Sequence, residues 1–527
     1  MDGKTDNHAW RRRPRKFAPK SRLGCRTCKI RRIKCDLSRP SCSKCLSTGR
    51  TCDGYNASKT EIANSTAIAK FHVQNLGSFM ILPVAEPTQA DAMCFFRDIS
   101  IKHLNEYRPC EQWRNNLMLF SQTVPSVRHA AIALALMHRA YLDCHSDSLI
   151  YQSPVLKDRL PDKTPLLHYN RAIQLLLNPE SSDSAEITAV TLLVCYLFTC
   201  LDHLAGDDVQ AMKHLRGGVA LINNYTHNTQ SPVHAVISQV TEQIRRLDMQ
   251  AVMFLVDWTP ANIEETFMSL TLPDSSSGGG GSIFYSLDQA ADTLQILISQ
   301  VMRLRNTEQQ ISPTGTMPPL PSSLKDLVLA QLETWLSLFE SLLRSAPDCE
   351  TETETNPLVS LLRLQHTMAC ILLCGYGSGR EMDYDNFLPQ FRQCVVLADE
   401  VTMVHQRYSS STSTFTPEIG FIPVLYIIGA KCRHPIVRRE VLRILRRRLI
   451  REAAWDSFST ARVVERVIEI EEGGQTIQCM RQIPIWRRIE ALSFMHIPGI
   501  LGRCMARLDI EYTFCGLEGI HTESVIE

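Results

Sequence analysis

The chain has 527 residues, 44% hydrophobic and 21% charged, which excludes a wholly disordered polypeptide and allows a large buried core in roughly three or four folding units. Its net charge of +1 conceals a division: residues 1–60 carry 17 Lys/Arg against 4 Asp/Glu, and the remaining 467 residues carry 39 against 51. A small basic head on a large acidic body points to a polyanion as the head's partner. The charged N-terminus has no apolar stretch of the secretory type, so a soluble, intracellular protein is expected. The longest apolar run, Ile187 to Leu201, is bounded by Glu186 and Asp202 and falls short of the ~20 residues of a membrane span; it reads as a buried core helix, with no membrane partner.

In chain order, residues 1–20 read as a disordered basic tail. Its run Trp10-Arg11-Arg12-Arg13-Pro14-Arg15-Lys16 suits a nuclear localisation signal or an arm along a DNA backbone, against the plainer reading of a solvated tail. Residues 21–55 form the next unit. Six of the 19 cysteines lie here, at Cys25, Cys28, Cys35, Cys42, Cys45 and Cys52. Their spacing repeats C-x2-C-x6-C twice, and in a reducing compartment such clustered thiols indicate metal rather than disulfides. Structural zinc takes four ligands in a tetrahedron. Six thiolates close one such site with two cysteines spare, or two sites if two thiolates are shared. The internal repeat makes Cys25 and Cys42 the natural bridges.

Six thiolates and two Zn2+ carry a net negative charge, which Arg26, Lys29, Arg31, Arg32, Lys34 and Lys44 offset. So short a segment cannot bury enough apolar area to fold alone, so metal must supply the folding free energy, on the order of 10 kcal/mol or more. A short helix is expected just after each C-x2-C pair. On the first, Ile30 and Ile33 are spaced to face the cluster, leaving Arg31 and Arg32 to project outward. Arginine addresses guanine O6 and N7 in the major groove, whereas Lys44, Arg22, Lys34 and Arg50 suit phosphate. The rival is a zinc-stapled scaffold that docks acidic proteins without reading DNA.

The segment from Gly24 to Tyr55, with its six cysteines, basic run, Asp36 and Pro40, resembles the fungal Zn2Cys6 binuclear cluster transcription factors. The resemblance implies two Zn2+ per chain, bridging by the first and fourth cysteines, and reading of CGG-type triplets by the helix of the first half. The family usually has lysine where Arg32 stands.

Residues 56–85 read as a linker without heptads, so dimerisation, where it occurs, falls to the body. Residues 86–527 are expected to be all-helical. A helix is expected over His129–Tyr141, capped near Ser126, and another begins at Thr164-Pro165 with Thr164 as cap and Leu166, Tyr169, Ile173 and Leu177 inward. Val209, Met212, Leu215, Val219 and Ile222 mark a third behind Asp207-Asp208. Leu329, Leu332, Leu336, Phe339 and Leu343 mark a fourth, and Ser459–Glu472, stopped by Gly473-Gly474, a fifth. Loop insertions are expected near 272–282, 312–323, 346–357 and 409–416, and no alternating strand series stands out. Arg438 to Arg451 reads as a helix with Val441, Leu445 and Leu449 inward and its arginines solvated. The other 13 cysteines read as buried, inert thiols.

Cys195–Asn224 and Cys432–Glu472 resemble parts of the all-helical fungal-specific transcription factor domain, which implies a regulatory body. The chain has no H-E-x-x-H or G-x-S-x-G, and Gly375–Gly379 follows a helical stretch rather than a strand, so no enzyme is expected. The reading is a nuclear, sequence-specific DNA-binding regulator of RNA polymerase II genes. Its partners would be double-stranded DNA and the transcription machinery or its co-regulators.

Overall fold

The computed structural model describes residues 25–38, 41–52, 86–146, 163–178, 183–225, 233–271, 283–311, 322–345, 356–374, 380–408, 413–497 and 507–526. The basic tail, Arg22, Pro40, the 56–85 linker, the glycine run at 278–281 and Gly375–Gly379 lie outside the described residues. The chain divides into two units, 1–78 and 79–527.

The first unit contains two short helices, α1 (Arg26–Ile30) and α2 (Ser43–Leu46). Each begins one residue after the first cysteine of a C-x2-C pair, so the second cysteine of the pair lies inside the helix. The expectation of helices starting after the pair is corrected accordingly. The reason is capping: the sulfurs of Cys25 and Cys42 accept the N–H of Cys28 and Cys45, both at 3.3 Å.

The second unit is mostly helical. α3 (Pro87–Phe95) continues through a π-helical turn, Phe96–Ser100, into a last turn at Ile101–His103. Five longer helices follow: α4 (Glu111–Thr123), α5 (Pro125–Ser146), α6 (Thr164–Leu177), α7 (Ser184–Ala205) and α8 (Asp208–Asn224). α7 passes through the core with Leu192, Leu193, Leu197 and Leu201 buried. Asp183 caps its start, accepting the Ala185 N–H at 3.0 Å, and Gly206 ends it in the left-handed region at φ 80°. Two helices, Ser184–Ala205 and Pro357–Cys374, have the length and composition to cross a membrane, yet 61% of each apolar window is buried inside the protein. Thr164 is the first residue of α6 rather than its cap. Leu166 and Leu177, expected inward, are exposed, whereas Pro165 and Ala172 face the neighbours.

α9 (His234–Gln250) and α10 (Ile263–Thr271) lead to a layer made by α11 (Leu287–Ile311), α12 (Ser322–Ser345), α13 (Pro357–Cys374) and α14 (Leu388–Tyr408). A large apolar cluster runs through this layer into α15 (Ile422–Lys431), α16 (Pro435–Leu445) and α17 (Ser457–Glu472). On α12 the buried face is Val328, Leu332, Trp335 and Phe339, with Leu336 partly exposed. Ser322 and Ser323 belong to α12 and Pro357 opens α13, so two of the expected loops end earlier than the sequence suggests.

Two small sheets depart from the all-helical expectation. β1 (Ser413–Thr416), placed by the sequence in a loop, is a buried strand paired parallel with β2 (Leu449–Glu452), and β2 pairs antiparallel with β3 (Trp455–Asp456). Glu452 explains the anchoring of this sheet. Its carboxylate accepts the N–H groups of Gly420, Phe421 and Ile422 at the start of α15, and also the Tyr107 hydroxyl. The second sheet is antiparallel, β4 (Ile489–Ile497), β5 (Arg507–Phe514) and β6 (His521–Ile526), with a register irregularity between Ile489 and Ala491. Its buried residues Leu508, Ile510 and Tyr512 pack on Val463 and Val467 of α17.

The arginine-rich segment is also not what its pattern suggests. α16 stops at Leu445, Leu449 lies in β2, and Arg438 is fully buried. Arg433 and Arg438 both engage the Glu471 carboxylate, and Lys431 and Arg433 reach Glu381, each at 2.7 Å. Arg439, Arg443, Arg446 and Arg447 pair with Glu472, Asp399, Glu440 and Glu465.

Candidate metal centre and nucleic-acid interface

The head has a core made of sulfur. Cys25, Cys28, Cys35, Cys42 and Cys45 are buried and cluster together, with Cys52 packed against them. The Sγ atoms fall into two sets of four, Cys25, Cys28, Cys35 and Cys42 in one and Cys25, Cys42, Cys45 and Cys52 in the other, each within 4.8 Å. Cys25 and Cys42 belong to both sets. Within these sets the Sγ–Sγ separations are 3.6 Å for Cys25–Cys42 and Cys28–Cys42 and 3.9 Å for Cys25–Cys45. A tetrahedron of sulfurs about 2.3 Å from a zinc ion has edges of about 3.8 Å, so the thiols fit two ions sharing two sulfurs.

Withdrawal from water pushes the Cys25, Cys28 and Cys42 thiols up. Bare thiolates are therefore unfavourable in this pocket, and divalent cations are what make six of them compatible with burial.

The repeat in the sequence is a repeat in the backbone. Arg32 and Gly49 each lie four residues beyond the second cysteine of their pair, and both are left-handed, at φ 54° and 62°. The next residues, Ile33 and Arg50, donate their N–H to Cys28 O and Cys45 O, each at 3.1 Å. Arg32 thus occupies a conformation that its counterpart meets with glycine. Asp36 has a role the sequence reading did not assign. It accepts the N–H of Ser43 at 3.0 Å and of Lys44 at 3.2 Å, at the start of α2. The Ser38 hydroxyl and these amides hold its carboxyl well below the usual carboxylate range. No capping pattern in the sequence announces this role, because the N-cap position is Cys42 and Asp36 reaches the helix start from across the loop.

The expected inward isoleucines are not inward. Ile30 is 72% and Ile33 40% exposed. The two-zinc cage fills the interior, leaving no hydrocarbon pocket for them. α1 ends at Ile30, so Arg31 is its C-cap and Arg32 lies beyond it, not on the helix. Arg31 is half-buried and donates to Thr48 Oγ1 at 3.0 Å. Lys29, Arg32, Lys34, Lys44 and Arg50 are exposed. The Arg26 side chain and Arg22 lie outside the described residues. The six cysteines and the five exposed cations are thus brought onto one small body. Of the cysteines elsewhere, Cys200, Cys394, Cys432 and Cys515 are buried as expected, whereas Cys94, Cys110, Cys374 and Cys479 are exposed.

The sequence pattern of the fungal Zn(2)-Cys(6) binuclear cluster domain matches residues 23–61. Over 87% of its length the chain is 23% identical to the "Aspercryptin biosynthesis cluster-specific transcription regulator atnN" of Emericella nidulans, covering 88% of that protein. Over 37% of its length it is 27% identical to the "Transcription regulator lscL" of Purpureocillium lilacinum, covering 48% of that protein. A shorter match, 51% identical across 8% of the chain and 9% of the relative, is to a "Zn(2)-C6 fungal-type transcription factor" of Gibberella zeae. No solved structure matches the chain at a significant level. The relatives are regulators of transcription rather than enzymes, and the cysteine cluster is that of a two-zinc domain. Residues 23–61 are therefore a fungal Zn(2)-Cys(6) binuclear cluster domain, and over most of its length the chain resembles a fungal regulator of transcription.

Proposed function

We propose that this chain is a nuclear regulator of RNA polymerase II genes that recognises CGG-type triplets through its zinc head. Cys25 and Cys42 would bridge two Zn2+, with Cys28 and Cys35 completing one site and Cys45 and Cys52 the other. Arg32 and Arg31 are the proposed base readers, with Lys29 and Arg26 beside them on α1. Lys34, Lys44 and Arg22 are proposed to hold phosphate. The observation that carries this reading is the exposure of Lys29, Arg32 and Lys34 around the end of α1, next to a cage that needs no other surface. Arg32 is exposed and sits in a left-handed turn just beyond the end of α1. Arg31, bound to Thr48, would have to exchange that contact for a base.

The body, residues 86–527, is proposed as the regulatory region and as the place of any homodimer contact or co-regulator docking. Binding selections on randomised duplex with the full chain and its Arg31→Ala, Arg32→Ala and Lys44→Ala variants test the reading. Loss of a base reader costs about 1–3 kcal/mol and relaxes one base pair, whereas loss of a phosphate contact weakens all sequences alike and lowers the salt slope by about one. If wild type shows no preference for CGG over random duplex, the reading fails; if all three variants keep the wild-type preference, the assignment of readers fails.

A further inference from the structure

Leu166 and Leu177, which the periodicity of α6 places inward, face solvent instead. α6 packs chiefly on α5, and its buried residues are Pro165 and Ala172, compact side chains that allow close approach. His168 is hydrogen-bonded to His129 of α5, with 2.7 Å between their Nδ1 atoms, and the Tyr169 hydroxyl meets His214 Nε2 of α8 at 2.6 Å. The Tyr169 ring also stacks on Phe198 of α7. The helix is therefore held from one side, and its other side is presented to solvent in a fixed orientation.

That presented side is unusually apolar. Leu166, Leu167 and Leu177 are 58%, 66% and 75% exposed, and none of the other described helices of the body exposes three large apolar side chains. With the exposed Asn170, Arg171 and Gln174 they make one face of the helix. Its centre line is Leu167, Asn170, Gln174 and Leu177, spaced 3-4-3 like the seam of a coiled coil. α6 contains no acidic residue, and leucines set between its few cations disfavour a nucleic acid as the occupant.

The seam is complementary to itself when reversed. About a twofold axis level with Ala172, Leu167 meets the partner's Leu177 and Asn170 meets the partner's Gln174, and each contact occurs twice. Carboxamides both donate and accept, so Asn170 and Gln174 can pair across the axis and fix the register. The antiparallel sense also brings Lys163, at the N-cap, to the C-terminal turn of the partner's helix, where the last carbonyls carry partial negative charge. A parallel pair would set Lys163 beside Lys163. The two Arg171 side chains come near each other at one edge, a repulsion that keeps the pair weak.

We propose that the exposed face of α6 is a homodimerisation surface, on which two copies of this chain pair antiparallel through Leu167, Asn170, Gln174 and Leu177. The inference rests on the placing of any homodimer contact in the body, and not on the DNA reading assigned to the head. α6 has 14 residues, so each face is about 21 Å long. The two faces bury on the order of 1,000 Å2 in total, the low end for a specific interface, which puts the dissociation constant on the order of 10–100 µM.

The test is sedimentation equilibrium of the full, zinc-loaded chain without DNA, from about 1 to about 200 µM. Wild type should dimerise reversibly in this range. Leu167→Lys and Leu177→Glu, both at exposed positions, should each weaken the dimer at least about tenfold and leave the thermal unfolding midpoint of the body in place. Combined in one chain, the two substitutions set a cation against an anion twice in the antiparallel pair, but like against like in a parallel one. The double variant should therefore recover association to within about threefold of wild type, a rescue that a merely structural role would not give. The proposal is overturned if the double variant associates no better than the single ones. Dimers that neither single substitution weakens use another face: they overturn the proposal and leave the dimer contact in the body standing. A wild type that stays monomeric throughout removes both.

Discussion

The head and the body solve the problem of folding with different materials. The head's interior is five buried cysteines, and its bulky apolar residues Ile30, Ile33, Leu37 and Leu46 are all at least partly exposed. In the described part of the body a long hydrocarbon cluster extends from Tyr107 to Ile468, with Trp335, Phe339 and Phe391 fully buried. The head's stability is therefore a matter of metal affinity, and the body's a matter of apolar area. The comparison also separates two uses of charge. In the head, cations stay at the surface, where phosphate can reach them. In the body, Lys431, Arg433 and Arg438 are buried and consumed by Glu381 and Glu471. A count of arginines does not distinguish these cases; burial and partners do.

The largest effect separating the two regions should come from metal removal. Chelation should unfold the head outright, on the scale of about 10 kcal/mol or more, and leave the helical signal of the body intact. Metal analysis should find two zinc ions per chain. Cys25→Ala or Cys42→Ala should disturb both ions, whereas Cys28→Ala should leave one site with its four ligands. One ion per chain in the wild type would break the shared-thiolate arrangement.

The body's counterpart is Glu471. Burial opposes its charge, but Arg433 and Arg438 outweigh burial and hold the carboxyl down at about 2. A depressed carboxylate contributes stability above its unfolded value of about 4.5, and that contribution is lost as pH falls from about 5 towards 2. Glu471→Ala should cost about 3–5 kcal/mol by leaving Arg438 buried without a carboxylate and Arg433 with Glu381 alone. Thermal unfolding of the body should show this loss at neutral pH, and the difference from wild type should shrink on acidification. Zinc content should not change. A variant that unfolds like wild type at pH 7 would mean that the network is dispensable.

A smaller effect probes packing. A Cβ on Gly429 would meet Val464 at 2.5 Å, where α15 crosses α17. Gly429→Ala should cost about 1–3 kcal/mol in the body's unfolding midpoint, and Val464→Ala should rescue part of it. Gly217, whose Cβ would meet nothing within 4 Å, is the control and should tolerate alanine.

The smallest effect falls on the strained turn of the head. Arg32 holds φ 54° where its counterpart is Gly49. Arg32→Gly should tighten zinc retention in a competition assay by up to about 1 kcal/mol, while Arg32→Ala, which keeps the strain, should not. Both should lose DNA affinity. If glycine gives no gain, the turn is not under strain.

What the sequence determined by itself is what local spacing can specify. Six cysteines within 28 residues, repeated as two equal triplets, leave few ways to close tetrahedral sites, so a two-zinc cluster was legible without coordinates. Helices with strong periodicity and caps were legible for the same reason: Asp207 before α8 and Gly473 after α17 act on neighbours in the chain. Tertiary structure alone decided the rest. Arg438 became a buried ion because Glu471, 33 residues on, meets it across a helix pair, and nothing near Arg438 in sequence announces that partner. Ser413–Thr416 became a strand because Leu449–Glu452 lies alongside it. The alternation Leu508, Ile510, Tyr512 was present to be read, but a half-buried strand has meaning only once α17 supplies the face it covers. In the head, Ile30 and Ile33 faced outward because the metal cage occupies the interior that their spacing would otherwise have implied.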